Sequence, residues 1–182
     1  MSKKLLVLSD SHGCVSSVKA VLGWAAERLP PNDTICGAAF CGDGISDLQP
    51  AAESTGFYCD WKLVNGNNDY NYSLPESLVF DFCDYRFFMC HGHRHSIYSS
   101  FNSLVAAARS NEAQIVLFGH AHVPIKKTEN GILILNPGSV SRPRNRTGAT
   151  FAVIECSPDD APKVEFWGVG ERGQIKLLPK IG

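Results

Sequence analysis

Every histidine in this chain falls into one of three short clusters, and each cluster stands near other residues able to bind a cation. In chain order the motifs are Asp10-Ser11-His12, Gly42-Asp43, Gly66-Asn67-Asn68-Asp69, His91-Gly92-His93 and Gly119-His120-Ala121-His122. Singly they are weak: Gly-Asp begins turns and caps helices, and Asn67 and Asn68 beside a glycine suit an ordinary turn. His-x-His says more, because an extended backbone points residues i and i+2 to the same side and lets two imidazoles meet one site. Together, two carboxylates, an amide oxygen and four histidines form a donor set without thiolate, which suits borderline divalent ions rather than Mg or Ca. Two such ions roughly 3.5 to 4 Å apart lower the pKa of a shared water and aim it at phosphorus. The chemistry expected is metal-assisted hydrolysis of a phosphate ester.

Residues so far apart in sequence need a scaffold to bring them together. The run from Lys4 to Ser9 is continuously apolar, as a buried strand should be, and Val15 to Leu29 sets Val18, Val21, Leu22, Ala25 and Leu29 at helical spacing. Pro30 and Pro31 are expected to end that helix. A second buried strand is expected over Thr34 to Cys41 and a second helix over Asp47 to Ser54, with Ser46 or Asp47 as its N-cap. A third strand is expected over 61–64, a strand pair over 78–82 and 86–90 about the Asp84-Tyr85 turn, a helix near 100–109 and a strand over 114–118. Beyond Val123 the pattern is strand-rich, over 124–128, 132–135, 149–155, 163–168 and 174–178. The β-α-β-α alternation favours an α/β sheet protein, and the five motifs fall at or just after strand ends, where open α/β sheets place their binding sites. With no internal repeat or linker, one domain over residues 1–182 is expected.

Composition removes several classes of function. Of the 182 residues 44% are hydrophobic, and the formal net charge is -1. A chain of this length buries about 70% of the surface it exposes when unfolded, so a core forms without staples. Near-neutral charge gives no reason to expect a nucleic-acid polymer as partner. No run of about 18 apolar residues is present, so no membrane span is expected. The apolar stretch behind Met-Ser-Lys-Lys is too short for a signal peptide. The seven cysteines are odd in number, form no C-x-x-C pair and sit mostly in apolar runs. They are expected as reduced core thiols of a cytoplasmic protein, Cys14 included.

As an ordered set the motifs resemble the calcineurin-like metallophosphoesterase superfamily. The chain length and the Asn136-Pro137-Gly138-Ser139 segment resemble its small prokaryotic phosphodiesterase branch, and the match runs from Asp10 to Ser139. The resemblance implies an α/β fold in which two mixed β-sheets pack as a sandwich with flanking helices, four layers in all. It implies that Asp10, His12 and His122 hold one metal, that Asn67, His91 and His120 hold the second, that Asp43 bridges them, and that a hydroxide shared by the ions is the nucleophile. Mn is the ion the resemblance favours; Fe, Ni, Co and Zn suit the same donors. Because Asp10 and Asp43 are the only carboxylates in the set, two divalent ions and a hydroxide leave the site net positive, as a phosphate substrate requires.

The sequence departs from the wider superfamily at Asn68, where many phosphomonoesterases carry a histidine that protonates the leaving group. An amide cannot do so near pH 7. Weak activity on poor leaving groups and better activity on activated aryl phosphodiesters is expected, with His93 or Asp69 as replacement acids and His95 as a solvated loop residue. Arg142, Arg144 and Arg146 follow the Asn-Pro-Gly-Ser turn, and guanidinium groups bind phosphate oxygens bidentately. Arg142 and Arg144 are therefore candidate substrate-binding residues, against the plainer reading of a solvated basic loop. Two other functions fit the same residues. One is a non-catalytic protein-binding scaffold, as in a retromer subunit that resembles this family but lacks part of the ligand set. The other is a nucleotide or dinucleotide phosphatase with Tyr70 and Tyr72 stacking on a base. The expected partner is a small phosphate ester, and a homo-oligomer is compatible with the sequence.

Overall fold

The structure, a computed structural model, describes residues 2–29, 35–70, 73–157 and 160–181. The first apolar run forms β1 (Lys3–Leu8), which pairs in parallel with β2 (Ile35–Phe40), and β2 pairs in parallel with β3 (Asp60–Leu63). The strand-rich tail returns to the other edge of β1, where β9 (Ala149–Ser157), β10 (Asp160–Val169) and β11 (Ile175–Leu177) add as an antiparallel series. The middle of the chain builds a second sheet in the order β4 (Ser77–Phe82), β5 (Tyr85–Cys90), β6 (Ile115–Phe118), β8 (Ile132–Pro137) and β7 (Pro124–Glu129), parallel across β5-β6-β8 and antiparallel at both edges.

Apolar residues on both faces of the central strands explain the layering. Leu5, Val7 and Ile154 from the first sheet meet Phe87, Met89 and Leu117 from the second in one buried cluster. The outer face of the first sheet, with Leu6, Leu8 and Phe151, is covered by α1 (Val15–Ala26) and α2 (Leu48–Thr55). The outer face of the second, with Val116 and Phe118, is covered by Leu104, Val105 and Ala108 of α3 (Asn102–Ser110). Burying one such Leu or Phe contributes about 1.5 to 3 kcal/mol over leaving it in water. The result is the expected α/β sandwich of two mixed β-sheets with helices on both flanks.

Three local expectations need correction. The first helix stops at Ala26 rather than Leu29, closed by a short return in which the Arg28 N–H donates to the Ala25 carbonyl at 2.9 Å. Pro30 and Pro31, the expected terminators, lie outside the described residues. Asp47 stands at the N-cap of α2 but makes no side-chain cap bond, because its carboxylate is engaged elsewhere. Only Cys41, Cys90 and Cys156 are buried thiols; Cys36 is exposed at the start of β2, and Cys14 is only partly covered.

Candidate metal centre

The parallel strands of both sheets end on the same side, and the motifs occupy the loops that leave them. Asp10 and His12 follow β1, Asp43 follows β2, His91 follows β5, and His120 and His122 follow β6. This is the carboxyl-end placement that open α/β sheets give to ligands.

Asp10 is fully buried, and its two oxygens have different fates. Oδ2 accepts hydrogen bonds from the Ser9 hydroxyl at 2.5 Å and from the His120 N–H at 3.0 Å. Among the described residues Oδ1 has no hydrogen-bond partner, and it lies 3.1 Å from His122 Nε2, 3.7 Å from His12 Nε2 and 3.9 Å from His91 Nε2. The Asp43 Oδ2 atom is 3.4 Å from His91 Nε2 and 3.7 Å from His12 Nε2. Two donor groups result, Asp10 with His12 and His122, and Asp10 with Asp43 and His91, each with its ligand atoms within 4.8 Å of one another. Asp10 is the carboxylate common to both groups, although Asp43 also reaches towards histidines on both sides.

Ring tautomers follow from the partners. A carbonyl oxygen can only accept, so His91 Nδ1, 2.7 Å from the Cys41 carbonyl, carries the proton, and so does His122 Nδ1, 2.6 Å from the Arg142 carbonyl. In the neutral rings both Nε2 atoms therefore present lone pairs to the site, the usual way a protein orients imidazole towards a metal. His91 Nε2 is buried and has no hydrogen-bond partner among the described residues, and the Nε2 atoms of His12 and His122 face each other at 3.1 Å. Buried polar atoms are normally paired, so this convergence of orphaned acceptors fits a cation and little else.

The charges are mutually dependent. Burial alone would push Asp10 up, but the neighbouring His12, His122 and His91 rings hold its carboxyl below the ordinary range. Asp43 is held low in the same way, with His91 and the Asn68 amide outweighing burial. Burial disfavours charge on His91, yet Asp43 and Asp10 raise its pKa above the ordinary histidine value. His120, whose ring stands 5.1 Å from that of His91, is pushed down by burial and by His91.

Backbone strain marks the same residues. Of nine non-glycine residues with positive φ among the described ones, five are Asp10, His12, Asp43, His120 and His122. Left-handed backbone costs about 1 to 3 kcal/mol per residue and persists where the surroundings enforce it. Part of the enforcement is contact between loops: a Cβ on Gly42 would lie 2.5 Å from the Gly66 amide nitrogen, and one on Gly66 would run into the Asp43 carboxylate.

Several residues hold these loops rather than the reaction. Asp69, expected as a replacement acid, accepts the N–H groups of Asp43 and Gly66 on Oδ2 and of Gly44 and Ile45 on Oδ1, at 2.6 to 3.0 Å. Each oxygen thus already receives two N–H groups, an arrangement that suits a positioning role better than that of the expected replacement acid. Asp47 accepts the Ser11 hydroxyl at 2.5 Å and the Gly13 N–H at 2.9 Å. Asn136 donates to the Gly119 carbonyl and accepts the Gly138 N–H, tying the histidine loop to the Asn-Pro-Gly-Ser turn. Nothing in the spacing of Asp47 pointed to this role, since an aspartate before a helix reads as a cap.

The two asparagines are placed differently. Asn68 donates both its backbone N–H and its side-chain amide to Asp43, at 2.7 and 2.6 Å. Asn67 is exposed and lines a cavity with Tyr70, Glu76, His93 and Arg94; among the described residues no hydrogen bond ties it to the donor groups. The His93 ring is 5.5 Å from that of His91, and burial, His91 and Arg94 together push its pKa down. His95 is bonded to the Ser103 hydroxyl, away from the centre. Tyr70 is exposed on the cavity wall, and Tyr72 lies outside the described residues.

Arg142 and Arg144 stand at the rim and are exposed, Arg142 with its guanidinium 3.5 Å from the His12 carbonyl. The Arg144 guanidinium donates to the Tyr98 hydroxyl at 2.9 Å, and that hydroxyl donates to the His120 carbonyl at 3.2 Å. Tyr98 was not legible as a site residue, because an aromatic after His-x-His carries no spacing signal.

Comparison with known proteins identifies the family. The model of the calcineurin-like phosphoesterase superfamily domain matches residues 4–159, and the chain belongs to that superfamily. It is 27% identical over 164 residues to the probable metallophosphoesterase YsnB of Bacillus subtilis, covering 90% of this chain and 89% of that one. A Streptococcus pneumoniae protein described as a predicted phosphoesterase superposes with a TM-score of 0.76 at 30% identity, over 98% of both chains. Vps29 of Entamoeba histolytica, solved with zinc, shares the fold at a TM-score of 0.72 and 17% identity, over 96% of this chain and 97% of that one.

Proposed function

We propose that this protein is a phosphodiesterase that hydrolyses small phosphate esters at a dinuclear metal centre held by Asp10, His12, Asp43, Asn67, His91, His120 and His122. The observation that carries the proposal is the pair of buried, unpartnered atoms Asp10 Oδ1 and His91 Nε2, set among the Nε2 atoms of His12 and His122. Mixed imidazole and carboxylate donors without thiolate suit Mn, Fe, Ni, Co or Zn, with Mn the family's first choice. When bound, such ions supply Lewis acidity and a water acidic enough to attack phosphorus. The chain's own residues do the rest. The Cys41 and Arg142 carbonyls fix the lone pairs of His91 and His122, Asp69 and Asn68 fix Asp43, and Arg142 and Arg144 offer donors to phosphate oxygens. With an amide at position 68 no residue there supplies a proton, which selects esters whose alcohol leaves as a stable anion.

The test is hydrolysis of bis(p-nitrophenyl) phosphate by the purified protein with added Mn. Asp43→Asn should lower kcat/KM on the order of a thousandfold, the scale of losing a principal electrostatic contribution. A protein that turns over no aryl phosphodiester, and that Asp43→Asn leaves unchanged, is no hydrolase; a binding scaffold on the same fold would then account for it.

A further inference from the structure

Tyr98 is 67% exposed, yet it is held in place at its polar end. Its hydroxyl donates to the His120 carbonyl at 3.2 Å and accepts from Arg144 at 2.9 Å, while the Arg144 N–H donates to the His122 carbonyl at 3.0 Å. The ring lies 5.8 Å from the His120 ring, tilted by 54°, so it is not stacked on that imidazole. An exposed aromatic that is free to rotate is unremarkable on a protein surface. One fixed by two hydrogen bonds, one of them from a guanidinium, has its conformational cost already met and offers a rigid apolar surface beside the phosphate site. The partners found for the Arg142 and Arg144 guanidinium groups among the described residues are the oxygen atoms of His12 and Tyr98, not carboxylates, so both keep donors and charge for an anion.

Resting on the phosphoesterase reading, we propose that Tyr98, set by Arg144, is a specificity-determining platform for a planar aromatic group carried by the phosphate ester, an aryl ester or a nucleobase. The ring takes the organic group by stacking, and Arg144 orients the ring while its remaining N–H groups face the phosphate oxygens. Tyr70 lines the cavity that holds Asn67 and His93 and is the competing platform.

The experiment compares binding of phenylphosphonate and methylphosphonate to the Mn-treated protein by calorimetry. The two carry the same phosphonate head, neither is a hydrolysable ester, and they differ in the ring. Phenylphosphonate should bind wild type more tightly, and Tyr98→Ala should weaken it about tenfold, the scale of one lost stack, while changing methylphosphonate less than twofold. Tyr98→Phe, which keeps the ring but loses both hydrogen bonds that hold it, should fall between wild type and Tyr98→Ala in its preference for the ring, and Arg144→Gln should weaken both ligands. Tyr58→Ala, at an exposed tyrosine lining the groove between α2 and β3, should match wild type. Equal affinity of wild type for the two ligands, equal losses of both in Tyr98→Ala, or loss of the preference in Tyr70→Ala instead would each overturn the platform. Failure of the two readings is separable. If both phosphonates bind with the predicted preference but no ester is hydrolysed, the hydrolase reading falls and the platform stands; if neither binds, the platform falls with the metal site beneath it.

Discussion

His91 is the residue on which the electrostatics of the centre turn. It is fully buried, its Nδ1 proton is committed to the Cys41 carbonyl, and its Nε2 faces Asp43 and Asp10. Without metal the carboxylates favour an imidazolium there, raising the pKa above 6.5. A raised histidine pKa means that the charged ring's contribution to stability is fully present below the unfolded value and is lost as pH rises through the folded one. A metal needs that same Nε2 lone pair, so binding must expel the proton, and affinity should rise with pH through this window. Calorimetric titration with Mn near neutral pH, in two buffers of different ionisation enthalpy, should give different apparent enthalpies; identical values would show that no proton leaves. His93 poses a separate question, because its lowered pKa makes it a poor reservoir of protons at neutral pH. His93→Ala should leave hydrolysis of an aryl diester nearly untouched, since its leaving group needs no proton. On an alkyl monoester it should cost about a hundredfold if the ring is the acid. Unchanged rates on both substrates remove His93 from the chemistry.

Loops between elements carry the centre, and Asp69 is the clearest case of one loop organising another. Four N–H groups from the Asp43 and Gly66 loops converge on its carboxylate. Asp69→Asn replaces an acceptor oxygen by an N–H donor facing other donors. The cost should be on the order of 3 kcal/mol, or roughly 6 to 12 °C in Tm for a chain of this size, with metal binding weakened in parallel. An acid would behave otherwise, so a variant of unchanged Tm that loses only turnover would restore Asp69 to the reaction. This also shows what was legible beforehand. Strands and helices followed from the period of apolar residues, such as the buried Val18, Val21, Leu22 and Ala25 of α1, because burial of one face is written locally. The candidate ligands could be picked out because His-x-His and Asp-x-His are short local patterns at strand ends. The roles of Asp69, Asp47 and Tyr98 depend on loops meeting across long sequence separations, 36 residues from Ser11 to Asp47 and 46 from Tyr98 to Arg144, and no local pattern records such a meeting.

At the scale of the molecule, two sheets with a shared core aim the carboxyl ends of their parallel strands at one place, and stability is concentrated behind that place rather than in it. The core supplies fully buried Leu6, Phe87 and Phe118, whereas the candidate centre holds left-handed backbone at five candidate ligand positions and, among the described residues, orphaned Asp10 and His91 atoms. Such a site costs free energy in the metal-free protein, and the cost is offset when a cation satisfies the donors. Metal should therefore act as a stabilising ligand of the whole fold. At a free Mn concentration a hundred times Kd the gain is about 2.7 kcal/mol, which raises Tm by roughly 5 to 11 °C, and a chelator should reverse it. The gain must also depend on the carboxylate common to both donor groups. Asp10→Ala removes an unpartnered buried oxygen but also leaves the His120 N–H without its acceptor, so Tm should fall by several degrees below the metal-free wild type, and the response to Mn should be abolished. A Tm indifferent to Mn, or a response that survives Asp10→Ala, would place metal binding somewhere other than the shared end of the two sheets.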